Sequence, residues 1–385
     1  MAGHTHHPEG NLMFKRGLLL CCFALLALLA AACTDNSIAS SPGGSTGTPG
    51  PGTQPTPLAA ISATGTFREY PLPQTGSGMM RPAIDHKGRV WFGEMGHNYL
   101  GVFDPRTQTF EQRTPPNGRD GIMGVQVGPD DTIWFAEQYA DYIGHYIPDT
   151  GQYQVYSLPT LKVPDPSDAS KTLSLPSAPN DIALDAQGNI WFTELNADSL
   201  GKLDPHTGRI QQFPLAAQKS IQKLDPYGVA VDPQGMIWFT EAINNHVGRL
   251  DPSSGKIRFF DMPGPANQFM ELASDAHGII WITSFNEGLL TSLDPRTGTF
   301  MPYYAPATPG RGTAAIYGLT ISPSGEIWVT ITAENLLARL DVAAQHFVYY
   351  HIPTQASLPL GVVMGANHTL WFTESGSDKI GMLQP

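Results

Sequence analysis

The chain has 385 residues, including 34 Pro and 40 Gly, with 15% charged residues and a net charge of −12. Many turn formers and few charges describe an all-β protein with tight connections rather than a helical bundle. The acidic balance argues against a nucleic-acid partner, because phosphate recognition needs clustered Lys and Arg.

Lys15 and Arg16 precede an apolar run over residues 18–32. This is the charged and hydrophobic part of a secretory signal, and it is short for a membrane span. It ends Ala30-Ala31-Ala32-Cys33. Small residues directly before a Cys resemble a bacterial lipoprotein signal, so Cys33 is the expected lipidated first residue; an ordinary cleaved signal is the alternative. His4, His6 and His7 lie upstream and would leave with the signal, so they are not read as a metal site. Cys21, Cys22 and Cys33 are the only cysteines, which leaves the folded part without a disulfide framework. Residues 34–62 are mainly Ser, Gly, Pro and Thr and read as a flexible tether. The expected organisation is therefore a signal over 1–33, a tether over 34–62 and a folded domain over 63–385. Such a chain is exported and held at a bacterial cell surface or in a periplasm, touching the membrane only through its lipid.

From about residue 65 the sequence is periodic. Its seven tryptophans, Trp91, Trp134, Trp191, Trp238, Trp281, Trp328 and Trp371, recur at intervals of 43, 57, 47, 43, 47 and 43 residues. Repeats of this length with a Trp signature predict propeller blades of four short strands. The fold expected is a seven-bladed β-propeller. In the fourth repeat, Tyr227 opens an inner strand, Asp232-Pro233-Gln234-Gly235 turns, and a second strand runs through Trp238 to Glu241. Two further strands follow. The seventh repeat stops at Pro385, one strand short. Residues 65–73 match the outer strands, so the N-terminal strand is expected to close the ring and remove a bare sheet edge. The tryptophans are assigned to packing between blades.

Three features fall on one face of such a ring: the inner-strand openers, the carboxylates ending the second strands, and all the variation in loop length. The longest insertion, roughly residues 160–177, belongs to that face as a possible lid. The openers are Met80, Met123, Asn180, Tyr227, Met270, Tyr317 and Leu360. The next position is Gly in four repeats but Arg81, Asp181 and Glu271 in the others. Charge on an innermost strand needs a partner or a ligand. A mouth lined by Arg81, Asp181, Tyr227, Glu271 and Tyr317 is thus the candidate site for a small molecule or peptide, with an internal ion pair as the alternative. Glu137, Glu194, Glu241 and Glu374, together with Glu94, end second strands; converging carboxylates could hold magnesium or calcium, and structural hydrogen bonding is the other reading.

The repeated Gly-x-Ile-Trp-Phe-Thr-Glu over residues 188–194 and 235–241, followed by Gly-Lys/Arg-Leu-Asp over 201–204 and 248–251, resembles the streptogramin B lyase (virginiamycin B lyase) family. The resemblance covers about residues 65–385. It implies a seven-bladed propeller that linearises a cyclic depsipeptide antibiotic by elimination, using a magnesium ion and a histidine base at the channel mouth. The family's Glu-Pro-His-Gly motif falls on Leu358-Pro359-Leu360-Gly361. The metal-binding Glu is thus replaced by Leu358, the base by Leu360, and a second His by Tyr317. A further metal-binding Glu falls on Ser375, next to Glu374. Leucine can neither take a proton nor bind a cation. No catalytic residue is therefore assigned. The expectation is a monomeric ligand-binding propeller lacking the family's catalytic set; the alternative is a lyase or a metal-dependent lactone or ester hydrolase using the remaining glutamates.

Overall fold

The computed structural model describes residues 58–116, 121–165, 168–215, 224–264, 268–306 and 314–385. Cys33, the apolar run and most of the tether lie outside the described residues. Among the described residues seven blade sheets follow one another along the chain, each built on four antiparallel strands; the first six take these four in sequential order, and the last takes its outer strand from the N-terminal side. The fourth is representative: Pro226–Val231, Ile237–Glu241, His246–Leu250 and Ile257–Asp261. Its first turn needs Gly235, at φ +78°, a conformation open to glycine at no steric cost. Asp232 caps that turn by accepting the Gln234 and Met236 N–H groups, and its other oxygen takes the Trp238 indole N–H at 2.8 Å. The same Asp–Trp pair recurs as Asp85–Trp91, Asp185–Trp191 and Asp275–Trp281.

The tryptophans bond the blades together, as the periodicity predicts. Each packs in the apolar cluster of the following blade. Trp281 sits among Ile316, Val329 and Phe347 of the sixth, and Trp371 among Met79, Phe92 and Phe103 of the first. Burying 150–250 Å² of ring at each of seven seams makes the cores mutually dependent (about that area per aromatic).

The ring closes as expected. Thr66–Pro71 is the outer strand of the last blade, pairing antiparallel with Lys379–Gln384 from Thr66↔Gln384 to Pro71↔Lys379. A second latch reinforces the seam: the Asp378 carboxylate accepts the N–H groups of Gly76 and Ser77 on the way into the first blade. The tether is shorter than composition predicts. Ala59–Ser62 forms a fifth strand on the sixth blade, parallel to residues 346–349, with Leu58 N–H bonded to Tyr304. Local composition could not foresee this, because the partner edge lies almost 290 residues away in sequence (from 59 to 346). The insertion folds as its own antiparallel hairpin, Leu161–Asp165 with Asp168–Leu175. Among the described residues no helix is long and apolar enough to cross a membrane.

Candidate functional site

The site begins with a defect repeated in every blade. Where the inner strand opens, its pairing with the second strand shifts register: between Pro226 and Val229 in the fourth blade, between Pro359 and Val362 in the seventh, and at the same place in the others. The bulge leaves two residues per blade out of the ladder and re-aims them. A threonine absorbs the freed groups. Thr193, Thr240, Thr283, Thr330 and Thr373 each accept, at 2.8–3.1 Å, the N–H of the residue after the opener in their own blade. Each donates, at 2.6–2.9 Å, to the opener carbonyl of the next blade. Three of these threonines stand in the repeated Trp-Phe-Thr-Glu, Thr283 and Thr330 in Trp-Ile-Thr-Ser and Trp-Val-Thr-Ile, and all five went unassigned at the level of sequence. Their signal was the repetition of a hydroxyl two places after the Trp.

The bulge also explains the glycines that follow the openers. A Cβ at Gly318 would lie 2.2 Å from the Leu360 carbonyl oxygen, and one at Gly361 would lie 2.3 Å from that of Met80. The inner strands crowd at this level. Larger residues stand only in the first, third and fifth blades, each followed by a blade with Gly: Arg81, Asp181 and Glu271. The three side chains meet across the axis. Glu271 Oε1 accepts from Arg81 Nε at 2.7 Å and lies 2.6 Å from Nη2. Asp181 Oδ1 is 3.5 Å from Arg81 Nε, and its Oδ2 accepts the Val229 N–H at 3.0 Å. Burial raises the Asp181 carboxyl, opposed by Arg81. Burial also pushes Glu271 up to about 7, against the pull of Arg81 and with the help of the Asp181 charge.

Tyr227 and Tyr317 belong to the same cluster and are buried. Their hydroxyls share a hydrogen bond of 2.6 Å, and the Arg81 guanidinium lies 5.2 Å from the Tyr227 ring centre. The five predicted residues therefore do come together, but they do not line an open mouth. All seven openers are buried, so this end of the channel is filled by Met, Tyr and Leu side chains. The space lies on the other side of the charged layer. A cavity of about 540 Å³ runs along the later part of the inner strands, floored by Arg81, Asp181 and Glu271 and walled by Gly318 and Gly361. It leads towards Ile84, Val127, Leu184, Val231, Ile321 and Met364, next to the turns into the second strands. The expectation that the site opens on the face of the variable loops is corrected: side-chain volume at the openers decides which end is blocked.

The second-strand glutamates are buried as well, but they do not converge. Glu94 and Glu194 turn outwards within their own blades. Glu94 accepts from Gln112 Nε2 at 2.9 and 3.0 Å, and Glu194 from Gln212 Nε2 at 2.8 and 2.9 Å, both glutamines standing on outer strands. Burial raises both carboxyls. In the seventh blade Glu69 occupies that glutamine position beside Glu374. Burial, then the Glu69 charge, push Glu374 up to about 7, with Lys379 opposing. Among the described residues no group of three His, Cys, Asp or Glu side chains is arranged to hold a metal ion. The metal set drawn from Glu137, Glu194, Glu241 and Glu374 is corrected accordingly: strand pairing puts one in each of four blades.

The positions that the resemblance assigns to catalysis hold packing groups. Leu360 is buried, and its carbonyl receives the Thr330 hydroxyl. Leu358 adopts φ +51°, and its carbonyl accepts the Ser375 N–H. The Ser375 hydroxyl donates to the Met79 carbonyl. These residues do not fit a magnesium ion, since two apolar side chains and an engaged hydroxyl offer no hard oxygen set.

A β-propeller with Trp-sealed blades and a charged layer across its axis is the class these observations define. The virginiamycin B lyase family matches residues 52–309, and the chain belongs to that family. Virginiamycin B lyase from Staphylococcus aureus is 24% identical, with a TM-score of 0.72 over 84% of this chain and 100% of that one. A streptogramin B lyase structure is 26% identical, with the same TM-score over 83% and 97%. The extracellular domain of a putative one component system from B. thetaiotaomicron is similar at 16% identity and a TM-score of 0.63, over 83% of this chain and 40% of that one. No curated protein matched the sequence.

Proposed function

We propose that this chain is an exported, lipid-anchored, ligand-binding member of the virginiamycin B lyase family that does not carry out the family's elimination. The observation that carries the reading is Leu360. It stands where the family's base is expected, is buried, and has an apolar side chain that cannot take a proton. The neighbouring positions agree, because Tyr317 is committed to Tyr227 and Ser375 to Met79. Export rests on residues 18–32 and anchoring on Cys33. The similarity to the extracellular domain of a bacterial one component system supports the same placement. The ligand is a small molecule or peptide, and the chain acts as a monomer.

The test is direct. A streptogramin B antibiotic is incubated with the purified chain and magnesium, and ring opening is followed by mass spectrometry. No turnover above buffer is expected. Linear product forming in proportion to enzyme would overturn the reading.

A further inference from the structure

The cavity floor carries a charge imbalance that the packing does not explain. One guanidinium faces two carboxylates, so the layer has a formal charge of −1 when both are ionised. Arg81 gives its Nε to Glu271, while both of its Nη atoms are enclosed without a hydrogen-bond partner, out of reach of a molecule in the cavity. The carboxylates are different. Arg81 uses only Oε1 of Glu271, and Oε2 has no hydrogen-bond donor among the described residues. Asp181 Oδ1 meets Arg81 Nε only at 3.5 Å. Both side chains retain surface, 8% for Asp181 and 12% for Glu271, at the bottom of the cavity they floor. Glu271 Oε2 is thus an acceptor that an N–H of a ligand can satisfy. Above the floor the walls are mainly Gly, Ala and Val with Gln126 and Thr320 among them, and the far end is ringed by six apolar side chains and Ser274. Acceptors deep inside and hydrocarbon outside match a molecule with a cationic donor at one end of an apolar body.

We infer that the central cavity binds a primary ammonium carried on an aliphatic body, its NH₃⁺ seated on Glu271 and Asp181. This rests on the ligand-binding reading above but uses the opposite end of the channel from the family's expected site. A primary ammonium fits better than a quaternary one. The floor offers oxygen acceptors, which three N–H donors can use, and the Tyr227 ring is taken by Arg81. An anion would face the net negative charge of the layer. The acidic balance of the whole chain, −12, also favours cations at long range.

The proposal is tested by isothermal titration of the full chain with hexylammonium, hexanoate, 1-hexanol and hexyltrimethylammonium at pH 8 and pH 5.5. Hexylammonium alone is expected to bind well at pH 8. Its affinity should fall at least about tenfold at pH 5.5, as Glu271, which faces Arg81, Asp181 and Tyr317, takes a proton. Glu271→Gln should remove binding. Ile321→Arg blocks the aliphatic end without touching the floor, and it should also remove binding while the melting temperature stays near the parent's. Hexanoate or hexanol binding as tightly as the amine would overturn the proposal, as would amine binding that survives both substitutions or the absence of amine binding to the parent. Ring opening of the antibiotic is a separate readout, so the two readings fail separately.

Discussion

The two ends of the central channel are built from the same seven strands and differ in almost everything else. At the end where the inner strands begin, the bulges, the threonine bonds and the openers leave no room. Met80, Met123, Met270, Tyr227, Tyr317 and Leu360 fill the axis. At the end where the strands finish, the corresponding side chains are mostly Ala, Val, Ile and Leu, with Gln126, Ser274, Thr320 and Met364, and the axis widens into the cavity. The Arg81–Asp181–Glu271 layer divides them. Loop length varies at one end and open volume lies at the other, so the place where sequence invites a site need not be where the space is.

The hardest test of this comparison removes the ring that both ends share. Deleting residues 65–73 takes away Thr66–Pro71 and its pairing with Lys379–Gln384. Loss of cooperative unfolding, or a fall in melting temperature of about 15 °C or more, is expected by calorimetry, because many small increments along one seam go at once. A truncated chain melting like the parent would mean that the ring does not depend on its closure.

A smaller effect should come from the dividing layer. Arg81→Leu leaves two buried carboxylates without their partner, which costs about 3–5 kcal/mol. Urea unfolding at pH 8 should show that loss, and at pH 5 part of it should return as the carboxyls bind protons. An unchanged midpoint at pH 8 would show that the layer is not held by ion pairing.

The smallest effect belongs to the closed end. Glu374 has its folded pKa raised above 4.5 to about 7, so the folded state binds the proton more tightly than the unfolded chain. Its contribution is present below pH 4.5 and is lost as pH rises towards 7. The parent should therefore be less stable at pH 8 than at pH 5, with Glu271 adding to the same trend. Glu374→Gln should reduce that difference by on the order of 1 kcal/mol, read as melting temperature against pH. A variant with the parent's full pH dependence would remove Glu374 from the account.

Much of this molecule was legible before any coordinates. Seven tryptophans at fixed register specify seven blades, because a large ring at one strand position has only the neighbouring blade to pack against. The missing last strand and its match near residue 65 specify how the ring closes, since an unpaired edge must be covered. Arg81, Asp181 and Glu271 stand out because charge replaced glycine at an inner position. The parallel strand at Ala59–Ser62 was not legible, because parallel pairing with a distant edge leaves no local pattern. Nor was the outward turn of Glu94 and Glu194 onto Gln112 and Gln212, since a repeated carboxylate reads alike whether it faces the axis or its own outer strand. Sequence alone thus determined the fold, its closure and the residues on the axis. Only the tertiary structure decided which end of the axis is open, because that depends on how seven side chains share one volume, and no single strand contains that information.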